Sequence, residues 1–250
     1  MPRWYVELDG ELVGKDDEAV AALAVLSRPE HRLFDPLVLA SLTLEKVEEI
    51  FEPAPSAGVL PMLADRARCL AEVGSGLLAC GGFEALLQHS NGSAVAFANE
   101  LVRLCPSFRD ERTDDRGVVY PFMKRAQLCA SMLHNLGVAN FEDDLHRLTV
   151  FADYRIPQLF RTYGIFHYSG SLEHKVLLGS EKDGDVVLEG SSEEIDLRAG
   201  TLVAAELLRC ALERRTKRSI AAAKLDYVLW RTAVDHENPF PFHKTRTLSY

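Results

Sequence analysis

The sequence predicts a mainly α-helical fold with a small β-hairpin at its start, as a single compact domain over residues 1–250. Three observations support this prediction. A clear hairpin signal occurs at residues 4–13, and apolar residues recur at helical spacing through most of the remaining chain. The segments between them contain no internal repeat and are too short to mark a domain boundary.

The predicted elements follow from local patterns along the chain. Residues 4–13 form a hairpin because two short extended runs flank Asp9-Gly10, a pair that favours a type I′ turn. Residues 110–117 are predicted to form a charged loop, and residues 186–188 a short extended piece within a polar turn. Apolar periodicity predicts helices over residues 16–26, 44–51, 60–78, 83–88, 93–104, 120–134, 145–151, 156–163, 172–178, 196–214 and 218–230.

The composition excludes several classes of protein. The 250 residues are 47% hydrophobic and 26% charged, as in globular proteins, and no apolar run approaches the ~20 residues of a membrane-spanning helix. The five cysteines are scattered without a C-x-x-C pair, so we expect reduced thiols and neither a disulfide framework nor a zinc site. Without a recognisable leader sequence, the chain is expected to be cytoplasmic. No cofactor is expected.

The net charge bears on partners. There are 28 basic and 37 acidic side chains, which gives −9, whereas binding of a polynucleotide requires a basic footprint. We therefore expect neither a nucleic-acid nor a membrane partner. Near the end of the chain, His243, Lys244 and Arg246 form a local basic segment that could hold one phosphate group.

Asp153 is the first candidate for a functional side chain. It follows Phe151 and precedes Pro157, a residue that favours a helix start. In a structural interpretation, the carboxylate accepts hydrogen bonds from backbone N–H groups at that start. In a functional interpretation, it is an acceptor held beside an aromatic wall, and spacing alone leaves both interpretations open.

Asp226 is the second candidate, because it stands within an apolar helical pattern. The helical period places Asp226 and Trp230 on one face. A charge buried there must be paired or reach water, and a buried carboxylate beside an indole could stabilise a developing cation. The alternative is a surface aspartate next to a core tryptophan, and the pattern does not decide between them.

A third group lies along the helix that is predicted from Tyr120. Lys124, Gln127 and Ser131 share one line of that helix, for which a solvated face is the simplest interpretation. No metal site is predicted, because His236 lacks a second histidine at the spacing that places two ligands on one helix face.

Together and in this order, these segments resemble the queuosine salvage family, the queuosine 5′-phosphate N-glycosylases. The resemblance implies a helical fold akin to the helix-hairpin-helix DNA glycosylases. It also implies hydrolysis of queuosine 5′-monophosphate to queuine and ribose 5-phosphate. Members usually have a longer N-terminal part, so we expect some of the pocket wall to be missing from a sequence that starts at the hairpin. The resemblance covers essentially the whole chain and is carried by residues 106–110, 120–127, 151–158, 194–199, 225–230 and 242–250.

The resemblance also implies roles for individual residues. Asp226 matches the family's catalytic aspartate, and Tyr227 follows it in the pocket. Arg231 stands where family members usually have an acidic residue. The positions that match the base site are Val150, Phe151 and Asp153. The other predicted substrate contacts are Trp230 and Arg231, together with four candidates for the phosphate, Lys124, His243, Lys244 and Arg246.

The implied reaction suits these residue types. Cleavage of an N-glycosidic bond builds positive charge on the ribose, which Asp226 would stabilise electrostatically or attack as a nucleophile. Queuine has carbon in place of N7 of guanine, so protonation at that position is not available. Asp153 would instead accept hydrogen bonds from the guanine-like N–H groups, with Phe151 stacked on the base. The alternatives are a helical protein that binds a purine or 7-deazaguanine without turnover, and a base-excision glycosylase acting on nucleic acid.

Overall fold

The structure is a computed structural model that describes residues 3–15, 18–181 and 187–250. It is mainly α-helical with short strands, which confirms the predicted fold class. The chain divides into two compact units, the first comprising Met1–Leu86 and Leu104–Ser107, the second Leu87–Arg103 and Phe108–Tyr250. We describe each unit by itself, and a single domain over residues 1–250 stays a prediction.

Eleven α-helices and four short strands make up most of the described part of the chain. No single helix within it combines the length and the apolar character needed to cross a membrane, although the helices Leu63–Cys80 and Phe83–Ser90, taken together as a bent pair, meet those two criteria. The strands are β1 (Val6–Leu8), β2 (Glu11–Val13), β3 (Glu111–Thr113) and β4 (Val119–Pro121). The helices are α1 (Glu18–Leu26), α2 (Pro36–Ala40), α3 (Leu44–Ile50), α4 (Leu63–Cys80), α5 (Phe83–Ser90), α6 (Ala94–Leu104), α7 (Lys124–Asn135), α8 (Arg155–Thr162), α9 (Gly170–Glu181), α10 (Ser192–Thr216) and α11 (Ala222–Asp235).

The predicted N-terminal hairpin is confirmed. Strands β1 and β2 pair antiparallel, and both turn residues, Asp9 and Gly10, have the positive φ angles that a type I′ turn requires (52° and 83°). Trp4 precedes β1 and is 1% exposed, and its indole N–H donates to the carbonyl of Phe51 at 3.1 Å. The hairpin is thereby anchored in the core of the first unit.

Helix α2 was not predicted, and it explains a glycine within α4. A Cβ atom at Gly74 would lie 2.2 Å from the backbone nitrogen of Ala40, so the two helices touch where no side chain fits. Asp35 caps α2 by accepting from the N–H of Leu37 at 2.9 Å, and Pro36 occupies the first helical position. A helix of five residues is too short for its apolar period to be recognised.

The core of the second unit packs helices α8, α10 and α11 together. Leu225 and Leu229 belong to this core, as their apolar spacing predicted. Their burial fixes the rotation of α11 about its own axis, and therefore the direction of its neighbouring polar side chains. The other buried members are Val150, Ile156, Leu159, Phe160, Ala205, Ala222 and Ala233.

The prediction of a helix from Tyr120 was wrong at its start. Tyr120 belongs to β4, which pairs antiparallel with β3, so the predicted charged loop at 110–117 is partly a hairpin. The N–H groups of Phe122 and Met123 donate to the carbonyl of Asp110 at 2.9 and 3.1 Å. Met123 also has a positive φ angle (48°), which is incompatible with a right-handed helix, so α7 begins only at Lys124.

The predicted helix over residues 145–151 was also wrong. Only Leu145–Arg147 forms a single 3-10 turn, and the chain then continues without regular structure to the start of α8. Two backbone N–H groups in this segment donate to side chains, that of Thr149 to Gln127 at 2.9 Å and that of Phe151 to Asp226 at 2.7 Å. Of the extended piece predicted at 186–188, residue 186 lies outside the described residues, and 187–188 form no strand.

Candidate active site

A cavity of about 800 Å³ opens in the second unit, between α7, α11 and the segment that precedes α8. This volume is within the usual range for small-molecule sites. Most of its wall is apolar, with a few charged groups placed among the apolar side chains. It is lined by Lys124, Leu128, Ser131, Met132, Asn135, Phe151, Asp153, Ala223, Lys224, Asp226, Tyr227, Val228 and Trp230.

Asp226 is held by α11 and by a backbone contact across the cavity. Asp226 is 8% exposed, and its Oδ1 accepts from the N–H of Phe151 at 2.7 Å. Oδ2 has no hydrogen bond within the described part of the chain. Asp226 therefore presents one fixed oxygen and one that is available to a ligand.

The surroundings of Asp226 make its charged form costly. Burial raises the pKa of Asp226 to about 7, and the nearby carboxylate of Asp153 adds to the rise. The N–H of Phe151 and the ammonium of Lys124 oppose the rise without cancelling it. A substantial fraction of this carboxyl group is therefore ionised at neutral pH, yet poorly solvated.

The alternative of a surface aspartate beside a core tryptophan is wrong. Asp226 is buried, whereas Trp230 is 38% and Tyr227 is 64% exposed. Both aromatic side chains line the cavity together with Asp226. The helical spacing correctly predicted that Asp226 and Trp230 share a face. The aspartate is the buried residue of the two, and the tryptophan is the more exposed one.

The structural interpretation of Asp153 is confirmed, and its functional interpretation stays a prediction. Oδ1 accepts from the N–H groups of Arg155 at 2.8 Å and Ile156 at 3.4 Å, and so caps the start of α8. The same side chain is 8% exposed and lines the cavity, and Oδ2 has no hydrogen-bond partner in the described chain. Burial raises the pKa of Asp153, while Lys124 acts in the opposite direction.

The aromatic wall is formed by one of the two predicted hydrophobic residues. Phe151 is 4% exposed and lines the cavity together with Asp153. Its backbone N–H is the donor to Asp226. Val150 is 3% exposed and belongs to the apolar core rather than to the cavity lining. Its alternation with Phe151 is that of an extended chain, in which successive side chains point in opposite directions.

Among the predicted cations, Lys124 lines the cavity. It is the first residue of α7, and its side chain makes no hydrogen bond or ion pair within the described residues. Lys224 on α11 was not predicted, although it too lines the cavity and its ammonium has no partner in the described chain. Its signal was its place on the helix, because Lys224 lies three residues before Tyr227, a predicted pocket residue, and so on the same face.

The other predicted phosphate ligands lie elsewhere. His243 is 1% exposed and bonds Tyr250 through Nε2 at 3.2 Å, and burial lowers the pKa of His243 to about 4, so it is neutral at pH 7. Lys244 lines a separate depression next to Arg155, and Arg246 is exposed and is not part of the cavity wall. These three positions therefore do not supply a cation to this cavity.

Arg231 also points away from the cavity. Its Nε donates to Asp235, one turn later in α11, at 2.7 Å, and both side chains are exposed. The sequence order placed it next to Trp230, but in a helix adjacent residues lie about 100° apart. The predicted contact with the substrate therefore has no support from the position of Arg231.

Helix α7 contributes residues that the sequence assigned to a solvated face. Lys124 and Ser131 both line the cavity, whereas the amide of Gln127 donates to the carbonyl of Phe122 at 2.8 Å. Leu128, Met132 and Asn135 continue the stripe at helical spacing from Lys124. Within the described chain, no group of three His, Cys, Asp or Glu residues is arranged to hold a metal ion.

Comparisons with known proteins agree in pointing to one family. A family model described as queuosine salvage protein matches residues 2–250. The chain is 34% identical over 258 aligned residues to a queuosine 5′-phosphate N-glycosylase/hydrolase of Sphaerobacter thermophilus, covering all of this chain and 76% of that protein. Proteins with the same name from Mus musculus and Bos taurus are each 34% identical over 84% of this chain. The chain spans 64% of the length of those two mammalian relatives.

Proposed function

The chain belongs to the queuosine salvage protein family, and on this premise we propose that it hydrolyses the N-glycosidic bond of queuosine 5′-monophosphate. Water adds its hydroxyl group to C1′ of the ribose and a proton to the departing base, which gives ribose 5-phosphate and queuine. The observation that carries the proposal is a buried carboxylate, Asp226, with one unpartnered oxygen in a cavity that suits a ligand of nucleotide size.

Asp226 is proposed as the catalytic carboxylate. As the glycosidic bond breaks, positive charge develops on C1′ and the ring oxygen of the ribose. An ionised carboxylate in a poorly solvated place attracts that charge more strongly than it would in water. Because Phe151 holds Oδ1, the free Oδ2 is the atom that would face the ribose, either as an electrostatic stabiliser or as a nucleophile.

The base would bind between Phe151 and Asp153. Queuine has carbon at the position of N7 of guanine, so leaving-group assistance must come from contacts elsewhere on the ring. Oδ2 of Asp153 would accept from the guanine-like N–H groups, and this is supported by the cap at the start of α8, which occupies only Oδ1. The apolar ring of Phe151 offers a surface on which a flat base can stack.

The 5′-phosphate would bind to Lys124 and Lys224. They belong to different helices, α7 and α11, and both line the cavity. Neither ammonium is engaged by an acidic side chain of the described chain, so both remain available to an anion. This pair replaces the tail residues His243, Lys244 and Arg246 in the proposed phosphate site.

The test is incubation of the protein with queuosine 5′-monophosphate, followed by chromatographic detection of free queuine. Wild type should release queuine, and Asp226→Asn should reduce kcat by about 1,000-fold or more, since a preorganised charge of this kind contributes several kcal/mol. Asp235→Asn is the matched control, because Asp235 is an exposed aspartate on the same helix and outside the cavity. Its kcat should equal that of wild type.

Three results would contradict the proposal. Tight binding of the nucleotide by wild type without release of queuine would favour a binding protein that holds a 7-deazaguanine ligand. Equal release by wild type and Asp226→Asn would remove Asp226 from the reaction. Release of a base from nucleic acid, but not from the nucleotide, would favour a base-excision glycosylase.

A further inference from the structure

An ion pair between Arg198 and Asp110 lies behind the cavity in the second unit. Arg198 on α10 is fully buried and Asp110 is 2% exposed. The guanidinium donates to both carboxylate oxygens, from Nη1 to Oδ1 at 2.7 Å and from Nη2 to Oδ2 at 2.5 Å. Neither residue lines the cavity, so neither can touch a ligand there.

The carboxylate of Asp110 holds the start of α7. Oδ2 accepts from the N–H of Lys124 at 3.1 Å, and the carbonyl of Asp110 accepts from Phe122 and Met123. Met123 precedes the helix and makes no side-chain cap of its own. Asp110 therefore supplies from a distant segment the cap that this helix lacks locally, and it fixes the residue that carries a cavity-lining ammonium.

The guanidinium of Arg198 holds the opposite wall. Nε donates to the carbonyl of Ala152 at 3.2 Å, and Ala152 stands between Phe151 and Asp153. The N–H of the preceding residue, Phe151, is the donor to Oδ1 of Asp226. The planar guanidinium also stacks over the ring of Phe122 at 4.0 Å, which restricts its orientation.

We propose that the Arg198–Asp110 pair positions both walls of the cavity around Asp226. It holds Lys124 on one wall and the Phe151–Asp153 segment on the other. The inference rests on the proposed function and deepens it, because it assigns a role to two buried residues outside the cavity. Both walls are attached to one rigid fork, so a loss of either partner displaces both of them.

The pair stays charged over the working range of pH. Burial alone would raise the pKa of Asp110, but the hydrogen bonds and charge of Arg198 hold it below its usual value. Glu194 adds a second carboxylate, with Oε1 lying 3.4 Å from Nη1 of Arg198. Removing Asp110 leaves the buried guanidinium of Arg198 with only this longer contact to Glu194, and removing Arg198 leaves Asp110 with only Arg112, whose Nη1 lies 3.7 Å from Oδ1.

The test compares Asp110→Asn with Asp144→Asn. Asp144 is the matched control because its carboxylate also caps a helix of the second unit from a distance, accepting from the N–H of Ala94 at 2.7 Å, and it lies outside the cavity lining. The measurement is a pH titration of the Asp226 carboxyl group, monitored by carbon NMR. The Asp226 signal is assigned as the one that is absent from the spectrum of Asp226→Asn. Lys124 and the Phe151 N–H both favour the ionised form of Asp226, while Asp153 opposes it and Lys224 is the other charged group in the cavity wall.

If the pair positions the walls, the midpoint of Asp226 moves to higher pH in Asp110→Asn and stays at the wild-type value in Asp144→Asn. In the hydrolysis assay, kcat per folded molecule should fall by about 10- to 100-fold in Asp110→Asn, with a smaller change in KM. An unchanged midpoint with a lowered Tm, as in the control, would mean that the pair only stabilises the fold.

Arg198→Lys is the second variant, and it keeps the folded protein measurable if Asp110→Asn does not fold. Lysine retains the positive charge opposite Asp110 but cannot fork to the carboxylate and bond Ala152 at the same time. An upward shift of the Asp226 midpoint here supports positioning, and a wild-type midpoint overturns it. The NMR titration does not require turnover, so absence of queuine release from wild type would refute the proposed function without deciding the positioning role.

Discussion

The charged form of Asp226 is less well solvated in the folded protein than it would be in water. Its carboxyl group is buried, and the group most able to neutralise it, Lys124, forms no ion pair with it. The result is a pKa of about 7 instead of the usual value near 4. A site that binds a cationic transition state gains from this poor solvation, but the folded protein is destabilised by it.

We predict that Asp226→Asn stabilises the protein at neutral and alkaline pH. Because the folded pKa is raised, the folded state binds the proton more tightly than the unfolded state, so the stability of wild type falls as pH rises from about 4 to about 7. Asparagine does not ionise, and its side-chain oxygen can still accept from the N–H of Phe151. The gain above pH 7 should be on the order of 1–4 kcal/mol.

Denaturant unfolding of wild type and Asp226→Asn at a series of pH values measures this difference. The two proteins should differ little near pH 4, diverge between pH 4 and 7, and remain separated by a constant amount above. Asp235→Asn controls for the loss of one negative charge on α11. A difference between wild type and Asp226→Asn that does not vary with pH would mean that the carboxylate is not destabilising in its charged form.

Two helices carry most of the cavity wall as stripes. Residues at spacings of three or four on α7 and α11 face each other across the opening, and the ends of these stripes bear Lys124 and Lys224. Arg231 lies on the same helix as Lys224 but outside the stripe, where it pairs with Asp235. Position on the helix therefore separates a cation that can reach a ligand from one that cannot.

We predict that Lys224→Ala raises KM for queuosine 5′-monophosphate by about 5- to 10-fold, the loss of one exposed charge-assisted contact, and changes kcat less. The same variant should not affect KM for the nucleoside that lacks the phosphate. Arg231→Ala is the matched control and should leave both values unchanged. Steady-state kinetics on the two substrates gives the comparison, and an equal rise in KM for both would place Lys224 away from the phosphate.

The sequence predicted those parts of the site that depend on a helical repeat. Asp226 and Trp230 were placed on one face of α11 because a period of 3.6 residues requires it, and Lys224 could have been found from its position one turn before Tyr227. The segment at 148–153 was not predictable, because distant side chains accept its N–H donors and no local pattern records them. His243 resembled an exposed cation, and only tertiary packing against Tyr250 makes it buried and neutral.

The whole chain carries a net charge of −9, and the cavity concentrates its cations on two lysines. A polynucleotide needs a continuous basic surface that neutralises several phosphates, and its affinity then falls steeply with salt. A mononucleotide has one phosphate group, which two lysines can hold. The charge distribution therefore favours a small anionic ligand, since the rest of an acidic surface repels a longer one.

We predict that a queuosine-containing oligoribonucleotide is not a substrate, and that the dependence on salt is shallow for the mononucleotide. For queuosine 5′-monophosphate, the slope of log KM against log salt concentration should stay below about 2, because at most two cations contact the phosphate. Both quantities, the release of queuine from the oligoribonucleotide and the salt dependence of KM for the mononucleotide, are measured by chromatography for queuine after incubation at several KCl concentrations. Lys124→Ala combined with Lys224→Ala should flatten the remaining slope. Queuine release from the oligonucleotide, or a steep slope that survives in the double variant, would require a basic surface outside the cavity.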